Sequence, residues 1–228
     1  MDLDLQFGDI GVMLNLDHSR SITDVVESDT LEPEMLNEIM AHGPSGVRVL
    51  LAPISPELAD LITSDHIRMV MTELRKTYDY VVVDTSCHLA DFNLEVIEAA
   101  QHILVVTALT IPAIKDAKLA LKVLESLTVD PASVLLVVDR SDAHSDFNRE
   151  SIEQNLRHTV GAQIPYEPRV VGDSINRGTP FVTASPESDI SRSLRELAGA
   201  LVPGAQPVAA GVGGGKADDK RKRRIFGR

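Results

Sequence analysis

Acidic side chains stand directly after short apolar runs at several points along this 228-residue chain, and in that position they could do chemistry. Asp2 and Asp4 flank Leu3 at the start, and Asp9 follows Gly8. Asp84 and Thr85 come after Tyr80-Val81-Val82-Val83, Asp139 and Arg140 after Val134 to Val138, and Pro165 and Glu167 after Ala162 to Ile164. A carboxylate held at such a place can orient a water molecule and accept its proton. In an open parallel sheet the carboxyl ends of strands are also where ligands collect. Each residue has a plainer reading too. Asp84 can simply close a strand at the surface, Asp2 can be frayed and solvated, and Asp9 beside Gly8 can serve as a cap or turn residue.

The elements that must position these acids alternate between strand and helix, the pattern of a mostly parallel sheet covered on both faces. Short β-branched runs predict strands at Val47 to Leu51, Tyr80 to Val83, Ile103 to Val106, Val134 to Val138 and Ala162 to Ile164. Helical patterns lie between them at Glu34 to Ala41, Asp65 to Lys76, Leu94 to Ala100, Ala113 to Leu127 and Ser151 to His158, and a last helix spans Ile190 to Leu201. Ser64 and Asp91 are placed as N-caps, Pro112 stands where a first-turn proline is tolerated, and Gly178 reads as a helix stop. From Pro203 to Gly215 the chain becomes Gly-, Ala- and Pro-rich, which predicts a flexible linker.

Composition narrows the function classes. The chain is 43% hydrophobic, enough for one α/β domain with a sizeable core, and no internal repeat is visible. Its single Cys87 cannot form an internal disulfide, which fits a reducing, cytoplasmic setting. No apolar run is long enough for a membrane span, and the first residues lack the layout of a secretory signal. Residues 216–228 hold seven basic and two acidic side chains, a local balance of +5 that leaves −17 on the remainder. An acidic body argues against nucleic-acid binding by the folded domain, since neutralising phosphates needs a basic face. The seven histidines form no cluster with ligand spacing, and the adjacent pair Cys87 and His88 does not make a metal site.

Three segments carry a resemblance: DLDLQFGDIGVMLNL at Asp2 to Leu16, YDYVVVDTS at Tyr78 to Ser86, and IPYEPRVVGDSINRGTPF at Ile164 to Phe181. Together they resemble the MinD/ParA class of deviant P-loop ATPases, and the DLDLQFGD string most resembles the CpaE/TadZ pilus-assembly branch. The similarity runs from residue 2 to about residue 201, which gives an ATPase-like domain at 1–202, a linker at 203–215 and a basic tail at 216–228.

The resemblance implies a doubly wound, mostly parallel P-loop NTPase sheet, ATP and Mg2+ as ligands, and a nucleotide-dependent homodimer. It implies that Asp84 supports the magnesium ion with Thr85 beside it, and that Asp4, with Asp2, lies near the attacking water. Asp139 and Arg140 take the place of an Asn-Arg pair facing the base, and Pro165 and Glu167 belong to the loop over the adenine. An Asp accepts hydrogen bonds where an Asn amide also donates, so base preference is open. The proline-containing switch usual after the strand acid is replaced here by Thr85-Ser86-Cys87-His88.

The glycine-rich, lysine-bearing phosphate loop has no match in the chain. Gly43-Pro44-Ser45-Gly46 lacks the lysine, and Gly213-Gly214-Gly215-Lys216 is followed by no Ser or Thr. The expectation is a chain truncated ahead of its first strand and phosphate loop, with ATP binding and catalysis weak or lost. Two function classes follow. One is an ATPase that positions pilus or secretion machinery, with a division-site or partitioning ATPase as its near alternative. The other is a non-hydrolysing localisation scaffold of the same fold. Peripheral placement at the inner membrane face or cell pole, with transient membrane contact by the basic tail, is the expectation for either.

Overall fold

The structure, a computed model, describes residues 1–26, 28, 30–87, 91–139 and 147–202. In chain order it contains β1 (Asp2–Leu3), α1 (Ile10–Met13), α2 (Pro33–Ile39), β2 (Ala41–His42), β3 (Arg48–Val49), α3 (Ser64–Thr77), β4 (Asp84–Thr85), α4 (Asp91–Ala99), β5 (Ile103–Ala108), α5 (Ile111–Ser126), β6 (Val134–Asp139), α6 (Arg149–Leu156), β7 (Val160–Ile164), α7 (Pro168–Arg177), α8 (Phe181–Ala184) and α9 (Asp189–Leu201), with short 3-10 turns between them. Arg140, His88, the linker and the basic tail lie outside the described residues.

The helices form where apolar spacing and caps agree. In α3 the buried Ile67, Val70, Met71 and Leu74 repeat with helical period, while Arg75 and Lys76 sit in the last turn, where they complement the helix dipole. Its N-cap is Thr63, whose hydroxyl accepts from His66 N–H in a reciprocal box, one residue ahead of the predicted Ser64. In α5, Thr110 caps the first turn and Pro112 sits within it, as predicted. The sequence pattern missed α1 and α8, and gave only the end of α7.

Parallel pairing organises the sheet in two parts. β5, β6 and β7 form one three-stranded ladder with Ile103 opposite Val134 and Asp139 opposite Ile164. β1 pairs with β4, setting Asp2 opposite Asp84 and Leu3 opposite Thr85. On its other side β1 is tied to the segment after β3, through Asp2 N–H donating to Leu50 O at 2.9 Å. The predicted strand at Tyr80 to Val83 is corrected here: the ladder falls at Asp84–Thr85, and Val82 is 79% exposed. The reason is that this segment is bonded on one edge only, through Val82 O, which accepts from the Met1 nitrogen at 2.8 Å, and Asp84 N–H, which donates to Met1 O. The motif Gly43-Pro44-Ser45-Gly46 closes the β2–β3 hairpin, with Gly43 N–H donating to Val47 O.

Three apolar clusters result. The largest joins Leu3, Leu5, Ile22, Leu36, Leu50, Ile67 and Leu74 beneath β1 and α3. A second lies between β6, α5 and α6, and a third brings β6 and β7 against α7, α8 and α9. The N-terminal and C-terminal parts touch where α1 meets α7. There Gly178 caps α7 in the left-handed region at φ +63, and a Cβ on it would stand 2.4 Å from Asn15 Cβ. Asn15 is itself left-handed at φ 50.

Replacing Gly178 by Ala therefore meets a left-handed penalty and a clash together. We expect urea denaturation to show a loss of roughly 1–2 kcal/mol from the backbone conformation alone. Adding Asn15→Gly, which removes the clashing Cβ at a residue already suited to glycine, should recover part of the total loss.

Candidate functional site at the carboxyl ends of the strands

Asp2 is the organising residue of the site. It is 1% exposed, and its carboxylate accepts from Asp4 N–H at 3.1 Å through Oδ1 and from Ile10 N–H at 3.3 Å through Oδ2. Those two bonds fold residues 4–10 back over the strand end. Gly8 is the residue that lets the loop come so close: a Cβ there would lie 2.5 Å from both Asp2 Oδ2 and Ala52 Cβ. The plainer reading of Asp2 as a frayed residue is thereby overturned, because the acid is buried among backbone donors. Its pKa is nevertheless raised, first by desolvation, which outweighs the two backbone bonds, with the charges of Asp84 and Asp4 adding in the same direction.

Asp4 is half-buried, and its Oδ1 accepts from Phe7 N–H at 3.2 Å, closing the turn that carries the exposed Phe7. Asp9 occupies the N-cap position of α1 but makes no side-chain cap bond, so its predicted capping role is not the one it has. His18 fastens the following loop, with Nε2 at 2.7 Å from Ala52 O.

Asp84 and Thr85 are both exposed at the end of β4, with Asp84 in register with Asp2. Beyond them Ser86 is half-buried and Cys87 exposed. Asp139 ends β6 between Ala108 of β5 and Ile164 of β7; partial burial raises its pKa. The structure thus places the carboxylates of Asp2, Asp4, Asp84 and Asp139 at the carboxyl ends of parallel strands. It brings Asp2 and Asp84 together directly, whereas Asp139 belongs to the separate three-stranded ladder.

Pro165 is half-buried in the short connection from β7 to α7. Glu167 turns out to have a structural partner: its Oε2 accepts from Ile190 N–H at 2.7 Å, tying the start of α7 to the first turn of α9. A carboxylate at a helix N-terminus is favoured by the helix dipole. Sequence reasoning missed this link because the two partners stand 23 positions apart. It also missed the close approach of Gly8 to Asp2, although a glycine inside an otherwise polar and apolar loop was the available signal.

Among the described residues no group of three or more His, Cys, Asp or Glu is placed to hold a metal ion. No helix among them is long and apolar enough to cross a membrane.

No protein-family model matches the chain. Among curated proteins it is similar to the septum site-determining protein MinD of Thermotoga maritima, 24% identical over 205 residues that cover 87% of this chain and 74% of that protein. It is also similar to the antiactivator FleN of Pseudomonas aeruginosa, 28% identical over 127 residues, which span 54% of this chain but only 44% of FleN. Among solved structures it superposes on a ParA family ATPase from Chlorobium tepidum with a TM-score of 0.80 at 21% identity, covering 86% of this chain and 83% of that one. The MinD of Pyrococcus horikoshii, solved with Mg-ADP, gives 0.75 at 20% identity, covering 89% and 82%. The chain therefore has the α/β, parallel-sheet fold of MinD- and ParA-like ATPase structures.

The raised pKa of Asp2 has a definite sign. Its native form holds a proton more tightly than the unfolded chain, so stability falls as pH rises from the ordinary value of 3.8 through the native pKa, then levels. In Asp2→Asn the amide NH2 faces one of the two backbone donors, a cost independent of pH. Unfolding curves collected across pH should therefore show the Asn variant gaining on the parent as pH rises through that window. A constant difference at every pH would remove the buried, proton-favouring carboxylate from the account.

Proposed function

We propose that this chain is a nucleotide-responsive switch of the MinD/ParA kind, in the CpaE/TadZ branch, which positions pilus or secretion machinery through an ATP-dependent homodimer. The observation that carries the reading is the register of β1 with β4, which sets Asp2 and Asp84 side by side at the carboxyl edge of this fold. Relatives named MinD and FleN, and fold neighbours named ParA and MinD, support the ATPase kind. The DLDLQFGD string supports the pilus branch.

The residues present fit magnesium in one way. Asp84 and Thr85 offer exposed oxygens, but no all-protein cage exists among the described residues. That suits an ion which keeps several waters and is completed by phosphate oxygens, as Mg2+ is. Bound there, Mg2+ would neutralise charge on the phosphates. Asp84 would hold the ion, and Asp4, fixed by its turn through Phe7, would orient water and accept its proton. Asp139 would accept from the exocyclic amine of adenine, which guanine lacks at that position. Arg140, Pro165 and the connection after β7 would complete the base side. The 228 residues contain no glycine-rich lysine loop, so the phosphate cradle is not something that residues 1–228 provide.

That last fact favours a second reading, a localisation scaffold that keeps the fold and its partner surface without turnover. A division-site or partitioning ATPase is the alternative within the first reading, and the −17 charge of the body weighs against the DNA contact that partitioning needs.

Calorimetric titration of ATP, ADP and GTP, with and without Mg2+, separates these readings when run on the 228-residue chain and on a form extended by upstream in-frame codons. The switch reading expects adenine-selective binding that depends on Mg2+ in the form able to bind, weakened about tenfold or more by Asp84→Ala. Asp139→Asn should lower the preference for ATP over GTP. Folded protein, by circular dichroism, that gives no heat with any nucleotide in either form leaves the scaffold.

A further inference from the structure

The segment 80–85 leads through α4 into β5, a strand–helix–strand connection of the kind that joins parallel strands of one sheet. Yet β4 and β5 belong to different ladders. Both edges of β6 are taken, by β5 and β7, so the free edge of β5 is the one away from β6. The segment 80–85 is bonded to Met1–Leu3 through Val82 and Asp84, so the backbone groups of Val81, Val83 and Thr85 point to its other edge. Among the described residues no strand pairs with either free edge.

The side chains show the same opening. Val81 and Val83 pack on the largest apolar cluster and Val105 on the second, so one face of each strand is covered. On the other face Tyr80 is 62%, Val82 79%, Leu104 39% and Val106 64% exposed. Leu104 and Val106 lie in register with Leu135 and Val137, whose shared face is covered by the helices of the third cluster. The apolar face is therefore continuous, covered over β6 and bare over β5 and residues 80–83. Parallel strands are ordinarily buried on both faces, and bare apolar edges of this kind act as templates for a further strand.

We infer that the opening between residues 80–85 and β5 is a strand-acceptor site, which takes an extended, β-branched apolar segment from outside residues 1–228 as a strand parallel to both edges. The occupant is specified by the chemistry of the site. Its backbone must meet a free ladder on each side, and its alternate side chains must meet the apolar interior on one face and Tyr80, Val82, Leu104 and Val106 on the other. Acidic or proline-containing segments fail on one count or the other. Nothing in this site depends on nucleotide.

The probe is a synthetic peptide of about six alternating valine and isoleucine residues, flanked by lysines for solubility, with a central-proline version as its control. It is titrated into the 228-residue chain and followed by amide hydrogen exchange. Saturable binding is expected, with exchange slowed about tenfold or more at 80–85 and 103–108, and with no binding of the proline peptide. Val82→Lys and Val106→Lys, at side chains already exposed, should each weaken the peptide about tenfold, while Phe7→Lys should not. β6 is the internal marker: if its amides become protected only when the peptide is added, strand addition is coupled to folding and the inference stands. Peptide that leaves both edges unprotected overturns it, whatever the state of β6. So does a chain that self-associates by light scattering with both edges already protected, since a second copy would then close the opening.

Discussion

A carboxylate buried at the end of β1 sets the form of everything around it. An ionised or even a neutral acid taken out of water must find donors, or its burial costs several kcal/mol. Asp2 finds them in the backbone of its own loop, Asp4 N–H and Ile10 N–H. That solution needs the loop to pass directly over the acid, which needs Gly8, and it ends with α1 placed where it can meet α7. The same residue is fixed from behind by the ladder, through Leu50 O on one side and the register with Asp84 on the other. One side chain thereby couples the strand order, the loop and the first contact between the two parts of the molecule.

How much of this was legible in the sequence depended on whether the determining contact was local. α3 was, because Ile67, Val70, Met71 and Leu74 announce their own face. β6 was, because a run of apolar β-branched residues ending in Asp139 has few other readings. Tyr80 to Val83 has the same look and is not a full strand, because a ladder needs neighbours and only one edge has one. Burial of Asp2 was illegible for a similar reason: its environment comes from Leu50, Ala52 and Asp84, far along the chain. Glu167 looked like a ligand-side residue until its partner, Ile190 N–H, was placed beside it.

The carboxyl edge was the more readable part of the site, since strand-terminal acids follow from strand positions. What could not be read was the division of labour among them. Asp2 and Glu167 are committed to backbone donors and hold the frame. Asp84 and Thr85, in the same row, are exposed and uncommitted to the core. Acids of similar sequence context thus separate into framework and presentation only once their neighbours are known.

Electrostatics then limits what this edge can receive. The charges acting on Asp2 are those of Asp84 and Asp4, all of one sign, and burial alone raises Asp139. A bare polyphosphate brought to β1 and β4 would add negative charge to a place already unwilling to hold its own. Cations must enter with it, either as a divalent ion shared between Asp84 and the phosphates or as basic side chains from outside residues 1–228. A metal ion also reverses the pressure on the acids, because a cation nearby favours their charged form. Nucleotide, metal and proton occupancy at this edge are therefore linked quantities: whatever neutralises Asp84 also relieves Asp2, and through Asp2 tightens the loop that carries Asp4.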